Sequence, residues 1–468
     1  MKFLDKQEED LVHSLSLKNL REMGVLIRSP SVLKMVGDAG AIIDEKTMVA
    51  KMPEEMVHDA IAKAAKEINL CSRDAKHDLK IPVKDIPYVG SNGIGTYMTD
   101  LDTDKKRETT KRDVADFAKL ADSLEGIDFF WSNVTAYDAP QSLHMVYAQW
   151  VSLQNCTKNY GTLTLSARDA KMQIELASLI TGGREALKKR PIFHSLCCVV
   201  APLSFERGAV EGQVELVKAG IPVISMSMSL SGMSAPITLA GTIVNANSEN
   251  LASLVISQTA APGARHIYSS ESTPANMVTG NIVYEAPETL LIAAATGQMA
   301  KRYGLPAYIG SWGVNGDRPG IPLSFSELTA ITSSMMTGTD IAAGAGGLEE
   351  AKGGSLEQLV IDSYMWENYR SFLKGFTISE ETAALDVVRQ VGHGNTFLTH
   401  PHTAKNFKKE LTFRDKGKLA WEATLSSKMV KDAKEVVRKA LREHEVQQLD
   451  ADVVRKGDAL LKGWANSI

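Results

Sequence analysis

GMSAPITLAGTIVNANSENLASLVISQ, residues 232–258, decides how this chain folds. A loop of small residues carrying Pro236 opens directly into an amphipathic helix. PVISM at 222–226 reads as the strand before it, and PGARHIYSS at 262–270 leads into the strand after it. The unit is strand–loop–helix–strand, with a crowded Gly/Ser/Met-rich loop at the first strand's exit. Outward from this unit, short apolar runs recur at 127–131, 157–162, 191–199, 264–269, 306–312 and 340–344, with helical spacing between them. Regular β-α alternation calls for parallel strands joined by right-handed crossovers. Seven strands within about 270 residues fit an α/β fold of the (β/α)8 TIM-type barrel kind. The eighth strand is either TFLTH at 396–400 or part of IPYVGSNGIGTYMTD at 86–100, which reads as a β-hairpin around SNGIG. An open doubly wound sheet is the alternative; its nucleotide-binding form is disfavoured because no GxGxxG follows the first strand.

The expected organisation is an N-terminal helical region at 1–85, a barrel with a leading β-hairpin at 86–375, and a C-terminal helical region packed on the barrel at 376–468. Helical spacing in VLIRSPSVLKMVGDAGAII and MPEEMVHDAIAKAAKEI supports the first. The charged run KMVKDAKEVVRKALREHEVQQLDADVVRKG supports the last, as a packed solvated tail or as a partner-binding helix.

Lys+Arg 52 against Asp+Glu 56 gives a net charge of −4, which lacks the basic footprint of a dedicated nucleic-acid binder. No apolar run reaches the length of a membrane span, and MKFLDKQEEDLVHS has no signal-peptide core, so a cytoplasmic protein is expected. The four cysteines, Cys71, Cys156, Cys197 and Cys198, form no disulfide framework in a chain of this length. Cys197 and Cys198 are adjacent on a strand and point to opposite faces. With no HxxxH or CxxC pair either, no catalytic metal is expected.

Barrel enzymes carry their chemistry at the C-terminal ends of the strands. Aromatics recur at those exits: Trp131, Tyr160, Tyr268 and Trp312. The same exits supply Asn315, Asp317 and Arg318 after the sixth strand, and Glu271 after the fifth. No nucleophile–base pair stands among them. Ring faces without a built-in nucleophile suit a permanently charged cation, at about 0.5–2 kcal/mol per contact. Filling barrel layers is the bland alternative for each ring. Arg318 either pairs bidentately with a substrate carboxylate or is held at the surface by Asp317. His194, mid-strand, reads as a core histidine, and His402 as structural. Met226, Met228 and Met233 read first as adaptable packing. GAGGLEEAKGG (344–354) permits close backbone approach or simply a tight turn. No strand exit carries a lysine, which argues against a Schiff-base lyase or aldolase.

The 232–258 run and the PGA after it resemble the signature of the trimethylamine methyltransferase family. The resemblance continues through LREMGVLI, GDAGAIID, YEAPETLLIAAATGQMAKRYGLP (284–306), TDIAAGAGGLEEAKGGSLEQLVID (339–362) and GNTFLTHPHTAKNF (394–407). It implies transfer of a methyl group from an amine nitrogen to the cobalt(I) of a corrinoid carried by a separate corrinoid-binding protein. The best-known members use pyrrolysine, which would fall within Val314–Pro319. This chain reads VNGDRP there and also lacks the Thr-Asp-Ser-Lys run of other relatives. It is therefore most similar to the non-pyrrolysine branch that acts on glycine betaine. A quaternary amine already carries its charge and leaves as a neutral amine, so orientation and desolvation can suffice.

On that resemblance the expected substrate-binding residues are Trp131, Tyr160, Tyr268, Trp312, Asn315 and Arg318, with Ser227, Met228, Gly344, Gly346 and Gly347 facing the corrinoid. Catalytic residues are left unassigned. Proline betaine, carnitine and other methylated amines remain alternative donors, and a non-catalytic betaine-binding protein is the other class. The chain has no Asp-x-His-x-x-Gly corrinoid signature, so it binds no cofactor of its own. A corrinoid protein is expected to dock transiently over 227–235, 313–322 and 344–354, so that Gly346→Arg blocks transfer alone. Homo-oligomers are compatible with all of this.

Overall fold

The computed structural model describes residues 3–313, 316–321, 325–410 and 426–467. Eight parallel strands form the centre: β1 (Tyr88–Ser91), β2 (Phe130–Trp131), β3 (Tyr160–Leu163), β4 (Phe193–Val199), β5 (Val223–Ser227), β6 (His266–Ser270), β7 (Ala307–Ser311) and β8 (Ile341–Ala345). Each pairs with its neighbour in chain order, and β8 pairs with β1. The sheet closes on itself where Gly90 bridges Phe129 and the Asp128 N–H donates to the Val89 carbonyl at 2.7 Å.

One main helix follows each strand: α1 (Lys111–Ser123), α2 (His144–Asn155), α3 (Ala167–Thr181), α4 (Arg207–Lys218), α5 (Leu239–Ala260), α6 (Pro287–Arg302), α7 (Phe325–Ser334) and α8 (Leu356–Leu373). This is the (β/α)8 barrel expected from the strand–helix period.

The eighth strand is Tyr88–Ser91, and TFLTH is no strand. The segment 86–100 is not a hairpin either. After Ser91 the chain runs on beside the loop that leaves β2, with the Ile94 N–H on the Ser132 carbonyl at 2.7 Å. Tyr97–Thr99 then joins a separate small sheet with Lys106–Arg107 and Gly353–Gly354.

Two features position the mouth. The barrel interior is filled by Phe129, Trp131, Leu196, Ile224, Met226, Ile267, Tyr308, Ile341 and Ala343. Its N-terminal end is closed by an antiparallel pair, Ile68–Leu70 with Leu79–Ile81, whose apolar side chains join that cluster. Each such burial is worth about 1.5–3 kcal/mol. The N-terminal region is thus not purely helical: Val25–Ile27, Ile42–Asp44 and Val49–Lys51 also form a sheet, which Ser204–Phe205 extends.

Helix α5 was expected to be amphipathic but is buried almost all round from Thr242 to Gln258. The N-terminal helices Lys6–Glu22, Pro30–Asp38 and Glu54–Lys63 cover the side that would otherwise meet water. Its Asn, Ser and Glu side chains are therefore internal and hydrogen-bonded rather than solvated.

At the other end, Ser426–Glu443 packs Met429, Ala433 and Val437 into the core, and Ala451–Ala465 sets Leu461 beside Trp150. These helices are packed on the barrel. Among the described residues no helix is long and apolar enough to cross a membrane.

Candidate active site at the C-terminal end of the barrel

Side chains along a strand alternate between the barrel interior and the helix layer. On β6, Ile267 faces inward and Tyr268 outward. Ser269 and Glu271 follow the parity of Ile267. The Glu271 backbone is fixed by its N–H on the Ser227 carbonyl, 3.0 Å, which prolongs the β5–β6 ladder.

Glu271 lines a cavity of about 290 Å³ bounded by the ends of β6 and β7 and by helices α6 and α7. Tyr308, inward on β7, points its hydroxyl at Glu271 Oε1 at 3.4 Å. Burial pushes the Glu271 carboxyl up to about 7, with only the Tyr308 hydroxyl opposing it.

Tyr284, Ser311, Glu285, Glu327 and Glu350 belong to the polar part of the wall, and Leu290, Ala293, Ala330 and Ile331 to the apolar part. Lys352 Nζ meets Glu350 at 3.0 Å. Among the described residues the wall holds four glutamates and no Lys or Arg. With Glu350 paired to Lys352, it is Glu271 that, when ionised, attracts a cation and repels an anion in this wall, and enclosure strengthens both effects.

The aromatics expected at the mouth are distributed differently. Trp131 alone faces the barrel interior, where its Nε1 has no partner among the described residues. Neither it nor the other three rings line the cavity. Tyr160 packs outward with Leu153 and Ile174. Tyr268 donates its hydroxyl to Asn247 Oδ1 at 3.0 Å on α5.

Trp312 shares strand parity with the inward Tyr308, yet it stands against α8. Its Nε1 donates to the Asp362 carbonyl at 3.2 Å and its ring stacks on Tyr369 at 5.4 Å. The cause is a β-bulge: the register between β7 and β8 shifts between Tyr308 and Ser311, at Gly310 with φ +72°. One extra residue there turns every later side chain over. Arg318 is exposed and does not line the cavity. Asn315 lies outside the described residues.

The residues expected to face a corrinoid also take other parts. Ser227 is buried and its hydroxyl donates to Glu249. Met228 packs against the interior cluster. Gly344, φ +139°, would place a Cβ 2.4 Å from the Trp312 carbonyl oxygen. Gly346, φ +78°, is buried, with a would-be Cβ 2.9 Å from both Leu359 Cβ and Asn133 Nδ2. Gly347 meets Asn92 in the same way. These glycines let backbone and side chains close in on one another. Gly346→Arg would therefore disrupt packing rather than block transfer alone.

The run at 232–258 acts from behind the site. Glu249 Oε1 accepts from the Leu203 N–H and from Asn245 Nδ2, each at 2.9 Å, and Oε2 accepts from the hydroxyls of Ser227 and Ser229. Burial pushes its carboxyl up against those four hydrogen bonds. This one side chain ties the loop after β4 to the loop after β5. Asn250 brackets Ser269 of β6 through its backbone N–H and carbonyl.

His194 is a satisfied interior histidine on one side only. Nδ1 lies 2.6 Å from Asn159 Oδ1, and burial holds the ring down to about 3, so it is neutral. Among the described residues no group of three or more metal-type ligands comes together.

Glu271 was visible as a strand-exit residue, but Tyr284, Tyr308 and Glu350 were not singled out. The usable signal was parity: residues three apart on one regular strand cannot both face the mouth.

Against known proteins, the chain is 30% identical over 457 residues to the trimethylamine methyltransferase MttB of Methanosarcina barkeri (strain Fusaro / DSM 804), covering 96% of this chain and 92% of that one. It is 26% identical over 410 residues to the glycine betaine methyltransferase of Desulfitobacterium hafniense (strain Y51), covering 87% and 85%. Among solved structures, the Methanosarcina barkeri monomethylamine methyltransferase MtmB superposes with a TM-score of 0.55 at 13% identity, over 95% of this chain and 89% of that one. The last likeness supports the barrel fold. The trimethylamine methyltransferase (MTTB) family description matches residues 1–461, so that this chain, barrel and extensions together, belongs to the trimethylamine methyltransferase family.

Proposed function

We propose that the protein transfers a methyl group from a quaternary amine to the cobalt(I) corrinoid of a separate corrinoid protein. The observation that carries this reading is the glutamate-lined cavity at the barrel's C-terminal end, with no cation in its described wall. Family membership supplies the reaction class, a methyl transfer from a methylated amine.

The acceptor supplies the nucleophile, so the chain's own residues bind, orient and exclude water. Glu271, ionised, lies against the ammonium, and the wall holds the C–N bond toward the open end. The charge on the ammonium is lost as the methyl leaves, and a neutral tertiary amine is released. No proton has to be delivered to that leaving group. This suits a chain that reads Val-Asn-Gly-Asp-Arg-Pro at 314–319 rather than carrying pyrrolysine.

Glycine betaine was the donor expected from the sequence, through Arg318 and a set of aromatic rings. The acidic wall instead favours a quaternary amine without a carboxylate. Glycine betaine in this cavity would need Arg318 to move in from its exposed position.

The test is turnover with reduced corrinoid acceptor and a panel of choline, tetramethylammonium, glycine betaine and trimethylamine, following the absorbance of the methylated acceptor. Quaternary donors are expected to react fastest, and carboxylate-free ones ahead of glycine betaine. Comparable turnover of trimethylamine would overturn the quaternary assignment. No transfer from any donor would favour a non-catalytic amine-binding protein.

A further inference from the structure

Folding leaves the Glu271 carboxylate short of hydrogen bonds. An ionised carboxylate offers about four acceptor positions. Glu249, behind the same mouth, fills its own with the Leu203 N–H, the Asn245 amide and the hydroxyls of Ser227 and Ser229. Among the described residues Glu271 meets a single side-chain donor, the Tyr308 hydroxyl, at 3.4 Å from Oε1. That is long for an O–H···O bond, whose usual range ends at about 3.0 Å. No described group donates to Oε2. The rest of the wall does not make up the shortfall: Leu290, Ala293, Ala330 and Ile331 are apolar, and no described Lys or Arg stands beside them. Enclosed polar groups are normally paired, so an acceptor left open in a cavity marks where a ligand's donor goes.

A quaternary ammonium has no such donor. It is held by charge and by ring faces, and the described wall offers it one ring, Tyr284. The product of methyl transfer differs in this one respect. As the methyl leaves, the C–N electron pair stays on nitrogen as a lone pair directed at the mouth, away from Glu271. The neutral amine departs in that form. In water an aliphatic amine is protonated below about pH 10, so it takes a proton from solvent and becomes a cation with one N–H. Returning with that N–H turned to Glu271, it makes the ion pair and also the charge-assisted hydrogen bond that the donor cannot make. Such a bond to a charged group is worth about tenfold or more in affinity.

We propose that the cavity holds the tertiary-ammonium product more tightly than the quaternary donor, through an N–H donated to the Glu271 carboxylate, so that the product competes with the donor for this site. The inference rests on the methyl-transfer reading above, with a donor that lacks a carboxylate.

The experiment is calorimetric titration of the full chain at pH 8, without corrinoid, using two pairs of ligands. Choline is set against 2-dimethylaminoethanol, and tetramethylammonium against trimethylamine. Each pair differs by one methyl exchanged for one proton. The protonated member is expected to bind about tenfold more tightly in both pairs. In Glu271→Gln, with its fold checked by circular dichroism, the two members are expected to bind alike. Choline titrated into wild type already saturated with 2-dimethylaminoethanol is expected to bind with lowered apparent affinity. Three results would overturn the inference and leave the methyl-transfer reading standing: a quaternary member that binds wild type as tightly as its protonated counterpart, a preference that survives in Glu271→Gln, or choline binding untouched by the saturating amine. Absence of binding by all four ligands would overturn both.

Discussion

Tyr268 and Glu271 leave the same strand three residues apart, so the pleat sends the ring into the helix layer and the carboxylate into the mouth. Tyr160 and Trp312 lie in the helix layer as well, and their removal is a matter of packing. Trp312→Ala is expected to lower the free energy of unfolding by about 3–5 kcal/mol. The folded protein should still bind tetramethylammonium as before. Urea unfolding and calorimetric titration of the same preparation read both quantities; weakened binding in a fully folded variant would place Trp312 at the site. Gly346 is the second case. Its φ of +78° and the contacts a Cβ would make with Leu359 and Asn133 predict that Gly346→Ala costs more than about 1 kcal/mol of stability. An unfolding midpoint equal to wild type would show that the surroundings yield.

At the scale of elements, seven of the eight strands were legible because each is a short apolar run followed by a helical pattern. Tyr88–Ser91 was legible only as one of two candidates for the eighth, because what makes it that strand is pairing with Ile341–Ala345, far along the chain. The bulge at Gly310 was equally hidden: PAYIGSW reads as one regular strand, and only the register against β8 shows the extra residue. Helix α5 was placed correctly but misjudged as amphipathic, since its polar residues meet the N-terminal helices and loops instead of water. That burial makes Glu249 the joint between two mouth loops. Glu249→Ala leaves the Leu203 N–H without its acceptor, while the Asn245 amide keeps Ser229 Oγ, so a loss of about 1–3 kcal/mol is expected. The protein that remains folded is also expected to turn over slowly, because the loops after β4 and β5 lose their common anchor. Unaltered stability and rate would remove Glu249 from that role.

At the scale of the whole molecule, the function proposed above needs a cationic methyl donor held by a carboxylate at the end of a closed barrel, facing a mouth that a corrinoid carrier can reach. Family and barrel were readable from strings spread along the chain. The acidic cavity was not, because Glu271, Glu285, Glu327 and Glu350 come from four separate segments that only the closed barrel brings together. Glu271 also provides the most direct measurement. Its carboxyl titrates at about 7 because burial disfavours the charge, so it is neutral below that pH and attracts a cation only above it. A quaternary donor does not titrate, and kcat/KM reports the ionisations of the free enzyme. The measurement is kcat/KM for choline or tetramethylammonium between pH 6 and pH 8, with wild type and Glu271→Gln side by side. A rise of about tenfold is expected in the wild type, half complete near pH 7, with a low, flat profile in Glu271→Gln. Identical profiles in the two proteins, or a wild-type rate that falls as pH rises, would contradict it.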